Sequence, residues 1–457
     1  MARSAILAAP SSRARRLAWP ALLGLAVVAV IAVGGLSDRL QRAGEPRGLD
    51  PATIHAGYGP SSFAESRALA ERNLAAARLT YATAPDEWLR TESLARALIA
   101  RWRLDNDYAD LAEAGRLLDD GLARAPYPSG PVLSRALLSL TVHRLGDAEA
   151  ALERFARFVA PDSADVADAA ALRGDLALQR GDLGRAAADY AEAERVGRTA
   201  GTSVRSATLR AYRGDRGGAA AALEALIAKP RQQPALLAEL MLQRANLAYW
   251  AGEWAEAGRW VGAAQRTYPG YWLADAYAAQ QFALAGRSAE AIRAYTRVAK
   301  RSGRPEVMDA LAHLLRLEGR GRESRAWAAR AERGWAQRGA LFPEAVAHHR
   351  AEHELAVGSA ARALEYAGAD ATARSQAPNL VLLARAELIA GHPQAARALL
   401  VRAARQGWAS AALWTARSEV EAALGHAEAS AAARSNAEAL NPRAFDPRAR
   451  LVWFGHD

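Results

Sequence analysis

The chain has 457 residues, a formal net charge of +10 and no cysteine. That length builds two or three compact domains or one extended repeat domain, and the lack of cysteine excludes disulfides, a lipoprotein thioester, a thiol nucleophile and cysteine metal knuckles. The positive charge is almost wholly arginine, interleaved with Asp and Glu along the whole chain; a nucleic-acid binder usually gathers its charge on one face or arm, so nucleic acid is not expected as a partner.

Residues 1–16 read as a short basic tail, with Arg3, Arg13, Arg15 and Arg16. Leu17 to Leu36 follows without a charged residue. At 1.5 Å rise per residue such a stretch spans about 30 Å, the thickness of a bilayer hydrocarbon core. Pro20 sits in its first turn, where proline costs little. The upstream arginines keep the N-terminus in the cytoplasm by the positive-inside tendency, although Arg39 and Arg42 follow the span. The expected placement is a single-pass protein of the inner (cytoplasmic) membrane with its C-terminal domain outside the cytoplasm, in the periplasm of a cell with two membranes. A cleaved signal peptide competes with this reading, because Ala32-Val33-Gly34 is a tolerable cleavage site, but the apolar run is longer than a usual signal core. Residues 37–60 carry glycine and proline without helical period and read as a linker.

From there to residue 445 one pattern recurs: a helix, a glycine turn, and an alanine-rich second helix. The turn glycines are Gly146, Gly181, Gly214, Gly252, Gly286, Gly319, Gly358, Gly391 and Gly425, with successive differences of 35, 33, 38, 34, 33, 39, 33 and 34. Strand-like period-two runs are nearly absent, so the expected class is all-α. Seven residues before each glycine and five after it, every residue is Gly, Ala or Ser, as at Gly174, Ala207, Ala245, Ala186, Ala257 and Ser324. Small residues there let the two helices of a repeat approach closely. Nine after the glycine the residue is mostly large, as in Tyr190, Leu223, Val261, Tyr295 and Leu400, but Ala328 and Arg434 break that column. The glycine-rich stretch before and after Gly319, with Gly334, Gly339 and Pro343, reads as a bend or hinge. In such an array each repeat is expected to touch only its neighbours.

These columns resemble the tetratricopeptide repeat family, most clearly in GDLGRAAADYAEA from Gly181, GEWAEAGRWVGAAQRTYP from Gly252 and GHAEASAAARSNAEALNP from Gly425. An earlier unit, Tyr108 to Pro126, matches the second helix but lacks the turn glycine. The resemblance covers about residues 62–445 and is to membrane-anchored bacterial arrays without an attached enzyme domain. It implies a right-handed α-solenoid of about ten helix pairs over residues 61–445, whose concave groove binds extended or helical peptides, followed by a tail at 446–457. The expected role is therefore a membrane-tethered scaffold or adaptor for envelope proteins, without cofactor. A secreted periplasmic chaperone is the alternative.

Within the groove, the column six residues before each turn glycine is mostly polar: Asp175, Thr208, Asn246, Gln280, His313, Glu352, Arg385 and Glu419. Asn246, Gln280 and His313, with Tyr249 and Arg316 one turn on, are the candidates to hydrogen-bond a bound backbone. Binding is expected to centre on the repeats at Gly214 to Gly319, which also hold Tyr212 and Tyr277. The family's lysine-based peptide clamp is not expected, since the chain has only Lys229 and Lys300.

Two other motifs compete for attention. His349-Arg350-Ala351-Glu352-His353 is an H-x-x-E-H segment, in which His349 and His353 could chelate zinc and Glu352 activate water, as in a zinc-dependent hydrolase. No third ligand follows in a matching context, and the segment fits the first helix of a repeat, so it reads as a half-solvated helix face. Arg-Gly-Asp occurs at Arg173–Asp175, Arg180–Asp182 and Arg213–Asp215, and two of the three are the repeat turn itself.

Overall fold

The structure is a computed structural model that describes residues 49–455. The basic tail, the apolar span at 17–36 and the first part of the linker lie outside the described residues. Among the described residues no helix is long and apolar enough to cross a membrane, and none forms a strand.

A leading helix, α1 (Phe63–Thr83), is followed by ten antiparallel pairs. They are α2 (Trp88–Asp105) with α3 (Tyr108–Arg124), α4 (Val132–Thr141) with α5 (Leu145–Phe155), α6 (Ser163–Gln179) with α7 (Leu183–Val196), and α8 (Ala200–Tyr212) with α9 (Arg216–Ile227). Next come α10 (Pro234–Trp250) with α11 (Trp254–Thr267), α12 (Trp272–Leu284) with α13 (Ser288–Ser302), and α14 (Pro305–Leu317) with α15 (Gly321–Leu341). The last are α16 (Pro343–Val357) with α17 (Ala360–Ala373), α18 (Ala377–Ile389) with α19 (Pro393–Arg405), and α20 (Ala411–Ala423) with α21 (Ala427–Leu440).

The turn chemistry explains the pairing. Gly181 has φ +79°, and the next residue, Asp182, caps α7 by accepting from the Arg185 N–H at 2.8 Å. The Gly214–Asp215 turn repeats this geometry, with Asp215 accepting from the Gly218 N–H at 2.8 Å. A left-handed residue reverses the chain at little cost only when it lacks a Cβ, and an aspartate then satisfies the new helix's first donors. Two of the three Arg-Gly-Asp tripeptides are these turns, and the third, Arg173–Asp175, lies inside α6. In the pair before them the left-handed residue is His143, with φ +62°, while Gly146 lies inside α5. The repeat register there is thus one helical turn earlier than the glycine spacing suggests. The small residues at the contact are Ala136 and Ala148, both at 0% exposure.

Elsewhere the small columns are buried, with Ala245, Ala257, Ala279, Ala291, Ala384 and Ala396 all at 0%. The large residues wedge between repeats, and Trp260, Tyr295 and Leu400 are each about fully buried. Burying such a side chain stabilises the fold by about 2–3 kcal/mol. The expected hinge is absent. Its glycines sit in the 21-residue α15, which runs without interruption, and Pro343 opens α16, a position that needs no N–H donor. The extra residues lengthen a helix rather than bend the array.

The array also does more than touch its neighbours. Contacts recur between residues about 200 apart. Arg304 Nη2 donates to the Leu104 carbonyl at 2.5 Å and Asn106 Nδ2 to Glu306 at 3.4 Å. Arg144 pairs with Glu344 at 3.6 Å, and Ser375 Oγ donates to the Arg180 carbonyl at 2.9 Å. The Ala409 N–H donates to the Tyr212 carbonyl at 2.8 Å, and Arg216 Nη1 to the Leu440 carbonyl at 2.6 Å. A separation of 200 residues is about six repeats. The superhelix therefore closes one turn against the next, and its interior is an enclosed groove. Three guanidinium groups, of Arg144, Arg216 and Arg304, reach a carboxylate or carbonyl of the adjacent turn at this seam.

Candidate functional site

The first helices of the pairs line the interior. Gln280, on α12, is fully buried at 0% exposure. Its side-chain amide is used on both sides by the chain's own C-terminus. Oε1 accepts from the N–H groups of Trp453 at 2.6 Å and Phe454 at 2.8 Å, and Nε2 donates to the Phe454 carbonyl at 3.0 Å. One carboxamide offers both an acceptor and donors, the complement of a peptide backbone. His313, on α14, approaches the Arg450 carbonyl through Nε2 at 3.0 Å and lies 5.5 Å from the Trp453 ring. Phe454 packs on Tyr277 at 5.6 Å and Tyr295 at 6.4 Å. Arg443 and Arg448 lie over the Trp254 ring at 4.7 and 5.2 Å.

The sequence-expected groove residues thus fall into three groups. Gln280 and His313 hold backbone atoms of the segment 450–454. Asn246 accepts from the Tyr277 hydroxyl at 2.6 Å and lies against Gly455, where an added Cβ would stand 2.3 Å from its Oδ1. Tyr249 is 97% buried, accepts from Gln281 Nε2 at 2.6 Å, and is pushed up to about 12 by burial. Arg316 is exposed and reaches only the His313 ring, at 3.5 Å. Asn246 and Gln280 link repeats and tail, so they are also packing residues. Burial, with Arg316 and Arg450 nearby, lowers the His313 pKa to about 4.

Beyond the tail the groove continues as an open cavity of about 610 Å³. Tyr249, Trp250 and Trp254 form one side, and Leu355, Leu382 and Ile389 supply apolar wall. His313, Glu352, Arg385 and Glu419 add polar groups from the same column. The open part is therefore walled by the Gly252 and Gly319 repeats, by the repeats from Gly358 to Gly425, and by the tail residues Arg450, Val452 and Trp453. Trp453 and Phe454 were missed in the sequence; the one signal for them is the apolar run Leu451 to Phe454 in an otherwise polar tail.

The H-x-x-E-H segment is a half-solvated face, with His349 exposed, Glu352 partly buried and His353 buried. Its two histidines and the preceding His348 turn to three different carboxylates: His348 Nδ1 to Asp370 at 2.9 Å, His349 Nδ1 to Glu352 at 3.2 Å, and His353 Nδ1 to Asp309 at 2.6 Å. His349 stacks on Trp335 at 5.1 Å, and Trp335 Nε1 donates to Asp309 at 2.7 Å. The pattern brings His353 to Glu332 and Glu354 rather than to His349.

Antiparallel helix pairs at a spacing of about 34 residues, joined by left-handed turns and packed through small and large columns, define a tetratricopeptide-type helical repeat array. The helices from Phe63 to Leu440 all belong to it. No protein-family model matches the sequence, and no curated protein matches it. Among solved structures, the Cut9–Hcn1 hetero-tetramer of the APC/C is similar at TM-score 0.40 and 14% identity, over 79% of this chain and 74% of that one. A tetratricopeptide repeat protein from Parabacteroides merdae gives TM-score 0.33 at 14% identity, over 58% of this chain and 99% of that one. A Rap protein complexed with Competence and Sporulation Factor gives 0.43 at 12% identity, over 83% and 97%. All three lie below a TM-score of 0.5, and the fold assignment rests on the chain's own helix pairs.

Proposed function

We propose that this protein is a membrane-tethered adaptor that takes an extended segment of a protein partner into the interior of its helical array. The observation that carries the reading is the Gln280 carboxamide, buried and bonded to both the donor and acceptor groups of a peptide backbone. Such recognition is indifferent to most side chains and suits any extended segment; the flanking Tyr277 and Tyr295 rings select an aromatic residue beside it. In the isolated chain that segment is its own C-terminus. A partner segment takes its place, or binds in the open cavity beside it. The tether is the uncharged stretch Leu17 to Leu36, which would hold the array outside the cytoplasm.

A photo-crosslinking side chain tests the binding site. Placed at Ile389, an exposed position on the cavity wall, it is expected to give discrete protein adducts in intact membranes. At Val159, equally apolar and 98% exposed outside the cavity, it should give none. Absence of adducts at Ile389, or the same adducts at both, would count against the groove. For the tether, a reporter fused after Asp457 should be active only outside the cytoplasm; activity only inside would reverse the topology.

A further inference from the structure

We propose that His353, Glu332 and Glu354 form a binding site for a divalent transition cation, zinc by the nature of the donor set. One atom from each, the His353 Nε2 and one carboxylate oxygen from each glutamate, lie within 4.8 Å of one another. Glu332 is on α15, and His353 and Glu354 are on α16.

Each of the three side chains is anchored through its other polar atom, which leaves one lone pair for the centre. His353 Nδ1 is fixed by the Asp309 carboxylate at 2.6 Å, and Asp309 is itself held by Trp335 Nε1 at 2.7 Å. This is the carboxylate–histidine arrangement that orients a metal-ligating imidazole and sets Nε2 as the ligand atom. The Glu332 Oε1 is taken by Arg350 at 3.1 Å and Arg362 at 2.6 Å. The Glu354 Oε2 accepts from the Ser359 N–H at 2.9 Å. The remaining oxygens, Glu332 Oε2 and Glu354 Oε1, are buried and have no hydrogen bond. The Glu354 side chain is 98% buried, and a buried carboxylate oxygen without a directed hydrogen bond keeps a lone pair free to ligate. Arg362 Nε stands 3.1 Å from that oxygen as an ion pair outside hydrogen-bond geometry. The gap between His353 Nε2 and Glu332 Oε2 is 3.8 Å, too long for a hydrogen bond. It suits two ligands about 2 Å from a common ion.

Three carboxylates, on Asp309, Glu332 and Glu354, face two guanidinium groups, on Arg350 and Arg362, so a cation here competes with a proton on His353. The turn residue also fits: Gly358 has φ −113° and needs no glycine for its backbone, but an added Cβ would stand 1.9 Å from Glu354 Oε2. Glycine there makes room for the Glu354 carboxylate to fold under the turn. A cation at this point would tie the 21-residue α15 to α16. It differs from an H-x-x-E-H zinc centre, since His349 is committed to Glu352 and Trp335 and takes no part.

The test uses the full chain, stripped with chelator, dialysed, and loaded with zinc. Elemental analysis is expected to give one zinc per chain, and cobalt in its place should give visible d–d absorption of low-symmetry coordination. Glu332→Gln and His353→Asn should each lower zinc affinity at least a hundredfold with helicity unchanged, whereas His349→Gln should not alter it. If His353→Asn unfolds the chain, Glu332→Gln, at a partly exposed residue, decides the matter. Zinc content in the unsubstituted chain no higher than in Glu332→Gln would overturn the site, as would a loss of zinc on His349→Gln equal to that on Glu332→Gln.

Discussion

Deletion of residues 446–457 is expected to open the groove, so that a peptide with the tail's own sequence, DPRARLVWFGHD, binds the truncated chain about a hundredfold more tightly than the intact one. The magnitude follows from what the tail makes. Three hydrogen bonds to Gln280 contribute roughly 1 kcal/mol each, and burial of Phe454 adds about 2 kcal/mol. Ordering the backbone of the two residues that Gln280 holds, Trp453 and Phe454, opposes this by about 1 kcal/mol per residue. A net tail occupancy of about 3 kcal/mol corresponds to roughly a hundredfold in apparent affinity for a competing peptide. Fluorescence anisotropy of the labelled peptide reads it directly. Equal affinity for the two chains would mean that the tail does not occupy the groove in solution.

The same equilibrium should respond to pH. The docked His313 pKa is about 4, below its ordinary 6.5, because the ring is buried and Arg316 and Arg450 face it, while the hydrogen bond to the Arg450 carbonyl acts in the other direction. Between those values the undocked state binds more protons. Tail docking is therefore full above about pH 6.5 and weakens as pH falls towards 4. The free peptide meets the same His313 through its Arg450 and Trp453 equivalents, so its binding to the truncated chain should weaken as pH falls through that window, and His313→Gln should flatten the change. An unchanged profile in His313→Gln would assign it to another group.

The second large effect is on stability, and it has opposite signs at two glycines. Gly174→Ala in α6 is expected to destabilise the array by about 2–3 kcal/mol, while Gly115→Ala in α3 should stabilise it by about 1 kcal/mol. At Gly174 an added Cβ would stand 2.3 Å from Cδ1 and Cε1 of Tyr190. That ring is 98% buried, and its hydroxyl donates to Asp175 at 2.8 Å. Asp175 in turn is gripped by Arg205 through contacts of 2.7 to 2.9 Å. The ring cannot retreat without breaking that chain, so the strain exceeds the helix-propensity gain of losing a glycine. At Gly115 an added methyl meets nothing within 4 Å, and only the propensity gain is left. Chemical denaturation followed by far-ultraviolet circular dichroism gives both values; a Gly174→Ala chain no less stable than the parent would mean that the Tyr190 contact is slack.

Local chemistry was legible wherever it repeats. The glycine spacing, the Ala/Ser columns and the absence of period-two runs suffice for an all-helical array of ten pairs, because the pairs need the same small contact points and most of them the same left-handed turn. Where one repeat departs from the rule, spacing misleads. His143 takes the left-handed position and Gly146 enters the helix, because Asn, Asp and His tolerate that conformation and an isolated glycine is not obliged to adopt it. The glycines of α15 likewise stay helical, since packing outweighs a propensity deficit of about 1 kcal/mol each.

The groove residues were legible as a polar column, but their occupant was not. Gln280 and Phe454 are 174 residues apart, and nothing local in either stretch announces the other. The same holds for the seam between turns of the superhelix and for His353 with Asp309 and Glu332. By itself the sequence determined the helices, their turns and the face each presents, since those depend on residues within one repeat. Only the tertiary structure decided that the array closes about every 200 residues and folds its C-terminus inward, and that it sets His353 toward two glutamates. Those outcomes depend on the cumulative rotation of many helix pairs, which is the sum of small packing angles that no single repeat encodes.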